Sequence, residues 1–452
     1  MKPYYLAMGL LLAGCAVGTD YQRPEVSVET RFVEGNAQAI GEVAQQKWWL
    51  NYKDATLNSF IDRGLAQNLD IQSALEAIRQ AQAELRQTGV NASLDGSLTA
   101  GVTTSGGDLV SGSSTSESAD LGASWVIDLF GGIRREREAA AASLAGSRDD
   151  AETIRLAWLA ELVSAYSNAR YNQEAMALTR TTIKTRQETV NITKSQFEAG
   201  ASTEYELAEA QALLSTARAD LPEFAAAFDS NVFAIATLLN EPSSKIVALM
   251  QKGSPQLPAP RDGATGVPAD LLRNRPDVRS AEADLAAAVG DLGVAEAALY
   301  PALSLTGSID RLDSTDTWSF GPELTLPVFN RGLLKAQRDA QISVAKQAEI
   351  TWRSAINDAV EDVQVAQSSL SRNRERVRHL RTAANDYGRA LSLARENFRN
   401  GAITLLDLLD TDREANTAKI SAASAVNDAA QSWATLKIVI GAGAAVTGVT
   451  TN

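Results

Sequence analysis

The chain has 452 residues, with 42 Lys and Arg against 55 Asp and Glu, one histidine, one cysteine and a formal net charge of −13. That length and a hydrophobic fraction of 45% are enough for a sizeable core and exclude a largely disordered chain, while the acidic excess argues against a nucleic-acid partner. A lone cysteine rules out an intrachain disulfide or a Cys-rich zinc site, and His379 alone leaves no His-pair metal site and no Ser-His-Asp triad of the usual kind, so no enzyme is expected.

Lys2 opens the chain and an apolar run follows from Leu6 to Leu12, shorter than the roughly 20 residues needed to span a bilayer. This pattern reads as a secretory signal over residues 1–14. Leu12-Ala13-Gly14-Cys15 resembles the bacterial lipobox, which implies cleavage before Cys15 and a covalent lipid on that residue. No other cofactor and no metal is expected. Ala16 stands where an inner-membrane lipoprotein would carry Asp, so the outer membrane is the expected address. Residues 15–47 then form an acylated N-terminal segment.

Prolines 255, 258, 260 and 268 mark a linker over 255–268, and the stretches on either side repeat. Leu69-Asp70-Ile71-Gln72-Ser73-Ala74 echoes Pro276-Asp277-Val278-Arg279-Ser280-Ala281. Asp128-Leu129-Phe130-Gly131 echoes Pro327-Val328-Phe329-Asn330, and Gln196-Phe197-Glu198-Ala199-Gly200 echoes Asn397-Phe398-Arg399-Asn400-Gly401. The matches are collinear at an offset of about 200 residues, the mark of an internal duplication. The first repeat covers 48–254 and the second 269–440, with a flexible tail at 441–452.

Each repeat reads helix, strand, strand, long helix, turn, helix. No proline falls between 25 and 221 or after 327, so helices are predicted over 132–200, 202–241, 332–400 and 402–440. From Ile356 through Ala359, Val363, Ala366 and Leu370 to Leu391, Ala394 and Phe398, steps of three and four persist for about six heptads, a coiled-coil seam broken only by polar Asn373. The first repeat carries a weaker seam at Leu159, Leu162, Tyr166, Ala169, Gln173 and Met176. A helix from 132 to 200 runs roughly 100 Å.

Four segments have period two, giving predicted strands at 91–104, 117–130, 299–311 and 316–329. In each, apolar residues such as Leu121, Ala123, Trp125 and Ile127 alternate with small or polar ones. Segments of about 10 residues with one apolar side match transmembrane β-strands, and Trp125, Trp318 and Phe320 suit an interfacial aromatic girdle. The Ser-, Gly- and Asp-rich stretches 105–119 and 311–316 read as exposed hairpin loops. Four strands cannot close a barrel, since the smallest membrane barrels have about 8, so copies of the chain must pool them.

With these features together, the sequence resembles the outer-membrane efflux factor family (TolC-like), in its lipoprotein (NodT/OprM-type) branch. The motifs that carry the resemblance are Cys15 to Pro24, Trp48-Trp49, Asp128-Leu129-Phe130-Gly131, Arg275-Pro276-Asp277-Val278, Tyr300 to Gly307, and Phe398-Arg399-Asn400-Gly401 followed by Leu405 to Asp410. The resemblance implies an α+β membrane protein: a homotrimer with a 12-stranded transmembrane β-barrel continuous with a long periplasmic coiled-coil barrel. It implies a passive exit duct for small molecules (drugs, toxic compounds or metal ions), opened by a periplasmic adaptor (membrane fusion protein) and a proton-driven inner-membrane pump. Lipid of the outer membrane of a Gram-negative bacterium surrounds it. The alternatives are the outer-membrane duct of a type I protein secretion system and a structural or adhesive surface lipoprotein.

Gly200 and Gly401 each break a long helix and are expected at the turns of two hairpins, with Phe197 and Phe398 three residues earlier. By resemblance these tips face the adaptor. Asp407 and Asp410 share a helix face at i and i+3, and repeated around an axis they would form a carboxylate ring that attracts cations and raises carboxyl pKa values by crowding. The resemblance makes this pair the periplasmic gate, with Leu406 as an apolar collar and Arg413 as a pairing partner. Glu206 and Glu209, their counterparts in the first repeat, are expected on a solvated flank, and His379 is expected to be inert. Gly131-Gly132 lacks the Lys-Ser/Thr of a nucleotide loop, so transport energy must come from another protein.

Overall fold

The computed structural model describes residues 16–35, 38–91, 94–107 and 110–445. Cys15, the signal segment and residues 446–452 lie outside them. After a 3-10 turn at Trp48–Tyr52 come α1 (Ala55–Gln67), α2 (Leu69–Asn91), β1 (Asp95–Gly107), β2 (Val110–Ile127), α3 (Gly132–Glu198), α4 (Glu204–Leu238) and α5 (Ser243–Met250). The second repeat supplies α6 (Pro268–Asn274), α7 (Pro276–Ala297), β3 (Ala302–Leu312), β4 (Thr315–Thr325), α8 (Arg331–Arg399) and α9 (Leu405–Val439). Helices α3 and α8 have 67 and 69 residues, each about 100 Å long. Pro222 is carried inside α4.

The described residues fall into two compact units, and the division cuts across the duplication. One unit lies within Met1–Ser27, Ala74–Ala151 and Asp277–Ile356; the other within Val28–Ser73, Glu152–Pro276 and Asn357–Asn452.

The first unit holds all four strands, in one antiparallel sheet of order β1-β2-β3-β4. Between β3 and β4 the two-residue turn Asp313-Ser314 has Asp313 at φ 53, and the Asp313 carboxylate accepts the Glu117 N–H at 2.8 Å. The strands differ from the sequence-based bounds. β1 and β2 take up most of 105–119, which was expected as loop, because hydroxyl pairs hold the ladder where apolar alternation fades: Thr104 with Thr115 at 3.0 Å and Ser105 with Ser114 at 3.2 Å. The register slips between Ser105 and Gly107. β4 stops at Thr325, short of 329, since Pro327 cannot donate to a ladder. Pro322 lies within β4, opposite Leu305.

The second unit is built on aromatic packing. Trp48, Trp49, Tyr52 and Trp433 are buried edge to face, with centroids 5.0–6.4 Å apart. The Trp48 indole N–H donates to the Ala442 carbonyl at 3.0 Å and the Tyr52 hydroxyl to Ala430 at 2.6 Å. Residues 441–445, expected in a flexible tail, are instead buried. Gly441 at φ +81 and Gly443 at φ +82 turn the chain into the core, and the Arg155 Nε–H donates to the Gly443 carbonyl at 2.8 Å. The α8 seam is buried from Ile356 to Leu370 and again at Leu391 and Ala394, but only half-buried from Asn373 to Ala384 and exposed at Tyr387; the Asn373 amide donates to Ser432 of α9 at 2.8 Å. In α3, Leu159, Leu162, Tyr166 and Ala169 are fully buried.

Candidate channel wall and hairpin tips

Strand register sorts the sheet into two chemically distinct faces. On one, Leu98, Leu121, Ile309 and Trp318 stand in a single cross-strand row; the next rows are Gly96-Ala123-Gly307-Phe320, Trp125-Leu305-Pro322 and Ile127-Leu303-Leu324. On the other, the rows include Thr99-Asp120-Asp310-Thr317, Ser97-Gly122-Ser308-Ser319 and Asp95-Ser124-Thr306-Gly321. Along β3 the apolar rows span Leu303 to Ile309, about 20 Å at 3.3 Å per residue. Leu98, Trp318 and Phe320 are each more than two-thirds exposed. In water, such a face would be a large uncovered apolar patch. Gly307 leaves room for the ring opposite it: a Cβ there would stand 3.3 Å from Phe320. Near the helical end of the sheet, Phe130 and Tyr300 stack at 4.8 Å. The described residues contain no helix apolar and long enough to cross a membrane and no cluster that could hold a metal ion.

The two hairpin turns of the second unit repeat each other bond for bond. At the first, Gly200 (φ +74) donates to Phe197 at 2.9 Å and Ala201 to Gln196 at 2.7 Å; at the second, Gly401 (φ +73) donates to Phe398 at 3.0 Å and Ala402 to Asn397 at 2.8 Å. This paired closure uses the left-handed glycine to satisfy the last helical carbonyls. Each following helix opens on a capping box, Thr203 with Glu206 and Thr404 with Asp407. Phe197 is 40% exposed, whereas Phe398 packs against the tip core of Val190, Leu214, Leu391, Leu405 and Leu408.

The carboxylates near the tips take part in these caps. The Asp407 carboxylate accepts from the Thr404 hydroxyl at 2.7 Å and the Thr404 N–H at 3.0 Å, which hold it below the ordinary carboxyl range. This lowering arises within one chain, whereas the rise expected from crowding needs the carboxylates of several copies. Glu206, expected to be merely solvated, is the matching cap: it accepts from the Thr203 N–H at 2.7 Å, the Ser202 hydroxyl at 2.8 Å and the Thr203 hydroxyl at 3.0 Å, and its pKa is likewise lowered. Asp410 pairs with Arg413 at 3.1 Å on the exposed face of α9, where Leu406 is also exposed. Glu209 is half-buried. His379 is exposed, with Nε2 3.8 Å from Glu375.

Sequence reasoning missed the strongest ionic group near the tip. Asp412, buried on α9, accepts from Arg186 Nε of α3 at 2.7 Å and from Arg395 Nη2 of α8 at 3.2 Å. Arg186 Nη1 also donates to the Leu213 carbonyl of α4 at 2.9 Å, so one cluster ties all four helices of the two hairpins. The only signal in the sequence was an Asp two residues past Asp410, out of step with the exposed pair.

The model of the family described as "Outer membrane efflux protein" matches residues 60–241 and 267–442, on either side of the Pro-rich segment. The chain belongs to the outer membrane efflux protein family. Among similar proteins, Nodulation protein T of Rhizobium leguminosarum bv. trifolii is 36% identical over 447 residues, covering 96% of each chain. Pyoverdine export outer membrane protein OpmQ of Pseudomonas aeruginosa is 31% identical over 388 residues, covering 81% of each. The solved outer-membrane channel OprN superposes with a TM-score of 0.85 at 27% identity, covering 95% of this chain and all of that one. This efflux protein is therefore an outer-membrane channel of a Gram-negative bacterium, extending into the periplasm, and it is a transport duct rather than an enzyme.

Proposed function

We propose that three copies of the chain close their four-stranded sheets into one 12-stranded barrel, a passive exit duct for small molecules in a tripartite efflux system. The observation that carries this reading is the sheet itself, with one face apolar and exposed, the other small and polar, and β1 and β4 at its two edges. A bilayer tolerates strands only where every edge is paired, so the edges must meet those of other copies. Pooling two sheets would give about 8 strands, a barrel filled by its own side chains, whereas twelve leave a lumen. The polar rows then line the lumen and the apolar rows face lipid.

In this reading the long helices of three copies form the periplasmic coiled-coil barrel. The tips at Phe197, Gly200, Phe398 and Gly401 meet a periplasmic adaptor, and a proton-driven inner-membrane pump supplies the energy. Leu406, Asp407, Asp410 and Arg413 narrow the resting tip, with Asp407 held anionic by its cap. Cys15 carries the covalent lipid. The relative OpmQ is a pyoverdine export protein by name, which supports the small-molecule reading.

The test is single-channel conductance of the purified protein in planar bilayers, beside the Asp407→Ala, Asp410→Ala double variant. A small cation-preferring current that grows and loses selectivity in the variant is expected. A current indifferent to the substitutions overturns the gate, and no current from folded, inserted protein overturns the duct.

A further inference from the structure

Residues 16–23 are held in a built receptor within the strand-bearing unit. Arg135, near the start of α3, has only 3% of its side chain exposed. Its Nε–H donates to the Val17 carbonyl at 3.3 Å and Nη2 to the Gly18 carbonyl at 3.0 Å, while Nη1 meets Asp20 at 2.8 Å and Glu138 at 2.7 Å. Three of these four acceptors belong to the N-terminal strap. Val17 in turn donates its N–H to the Phe130 carbonyl, just beyond β2, at 2.9 Å.

Glycines make the receptor. A Cβ on Gly131 (φ +80) would stand 2.6 Å from the Ala16 side chain, one on Gly293 would stand 2.7 Å from Arg135 Cγ, and one on Gly18 (φ +90) 2.7 Å from Glu296. Further along, Arg23 forms a bidentate pair with Glu282 of α7, and Tyr21 donates to the same carboxylate at 3.3 Å. A buried guanidinium is tolerated only when its donors are satisfied, so removing the strap leaves Arg135 with an uncompensated desolvation cost. Strap and helix therefore fix one another.

We propose that Arg135 is the positioning residue of the lipid anchor. It clamps residues 17–20 to the start of α3, so that the strap begins at Ala16 against Gly131, just beyond β2, and a lipid carried upstream of it is tied to the strand-bearing unit rather than to a free tether. The inference rests on the acylation and membrane-sheet readings above.

Cys15 is the only native cysteine, which makes a nitroxide test clean. The full chain is purified from outer membranes, and a maleimide nitroxide is offered to the parent protein and to Thr19→Cys, Thr19 being exposed. No uptake by the parent reports a blocked, acylated Cys15, whereas uptake overturns the acylation reading and leaves the clamp to be judged on its own. With the label at position 19, the expected spectrum is a single slow component. Arg135→Met is expected to convert most of it to a fast component with Cys15 still blocked and the sheet still inserted, and the exposed partner substitution Asp20→Ala to convert part of it. Slow spectra in both variants overturn the clamp. Should Arg135→Met fail to insert, an unchanged spectrum for Asp20→Ala overturns it alone.

Discussion

Asp412 and Arg186 meet at 2.7 Å with only 8% and 5% of their side chains exposed, and Arg395 reaches the other Asp412 oxygen at 3.2 Å. Asp412→Ala leaves two guanidinium groups facing each other without a carboxylate. The expected cost is about 3–5 kcal/mol, the usual penalty for breaking a buried pair from one side. Adding Arg186→Met is expected to recover part of it, because members of one ionic group are not additive. Amide hydrogen exchange along α3, α4, α8 and α9 near the tips checks both, with a larger loss of protection in the single variant than in the double.

The capping boxes give the tips a defined response to acid. Asp407 has a lowered pKa from the Thr404 hydroxyl and N–H, and Glu206 from the Thr203 N–H and the Ser202 and Thr203 hydroxyls. A depressed carboxyl contributes stability that is fully present above its unfolded value, about 3.9 for Asp and 4.3 for Glu, and lost as pH falls through the lower folded value. Tip protection is therefore expected to be flat from neutral pH down to about 5 and to fall below about 4. Thr404→Ala, which removes the reciprocal bond, is expected to cost about 1 kcal/mol and to flatten that acid limb. Exchange rates of peptides spanning 399–410, followed against pH, test the sign.

Two glycines with nearly the same backbone angle should respond differently to a methyl group. Gly401 has φ +73 and open space around its missing Cβ, so Gly401→Ala is expected to cost only the left-handed backbone term, about 1–2 kcal/mol. Gly441 has φ +81, and a Cβ there would lie 2.0 Å from the Asn274 carbonyl oxygen, a clash with backbone that cannot swing away. Gly441→Ala is expected to abolish the folded protein. Recovery of protein from membranes, followed by thermal unfolding of what is recovered, separates the two.

The faces of the sheet can be told apart by placing a charge on each. Leu121→Lys puts an ammonium in the apolar row with Leu98, Ile309 and Trp318, for an expected cost of about 2–4 kcal/mol if that row lies at mid-bilayer. Thr99→Lys, in the row of Asp120 and Asp310, is expected to leave insertion intact and to reduce cation preference. Insertion yield and reversal potential read the two effects separately.

Much of this arrangement was legible in the sequence because its signals are local. Gly200 and Gly401 end helices by backbone conformation, and the period-two alternation around Leu121 and Ile309 needs no knowledge of partners. What stayed hidden depends on distant chain segments. Asp412 looks like any surface acid until helices carrying Arg186 and Arg395 are brought to it. Arg135 reads as one more charge in an Arg- and Glu-rich stretch until the strap folds over it. The hairpin at 105–119 was expected, but the run of both strands into it was missed because Ser and Thr hydroxyl pairs replace the apolar alternation that marks a strand, and the burial of residues 441–445 because glycine and alanine look the same in a core as in a tail.

Pro322 sits in the outermost strand β4, and the other outer strand, β1, slips register between Ser105 and Gly107. A proline offers no N–H to a new neighbour, and a register slip disturbs any long regular pairing. An indiscriminate strand arriving at either border therefore meets a gap in its ladder, whereas a copy of the same chain, aligned so that the gaps fall where no bond is required, does not. If the sheets of several copies close into the barrel proposed above, the chain carries its own safeguard against fibril growth before that closure, when so much β-structure has not yet found its neighbours.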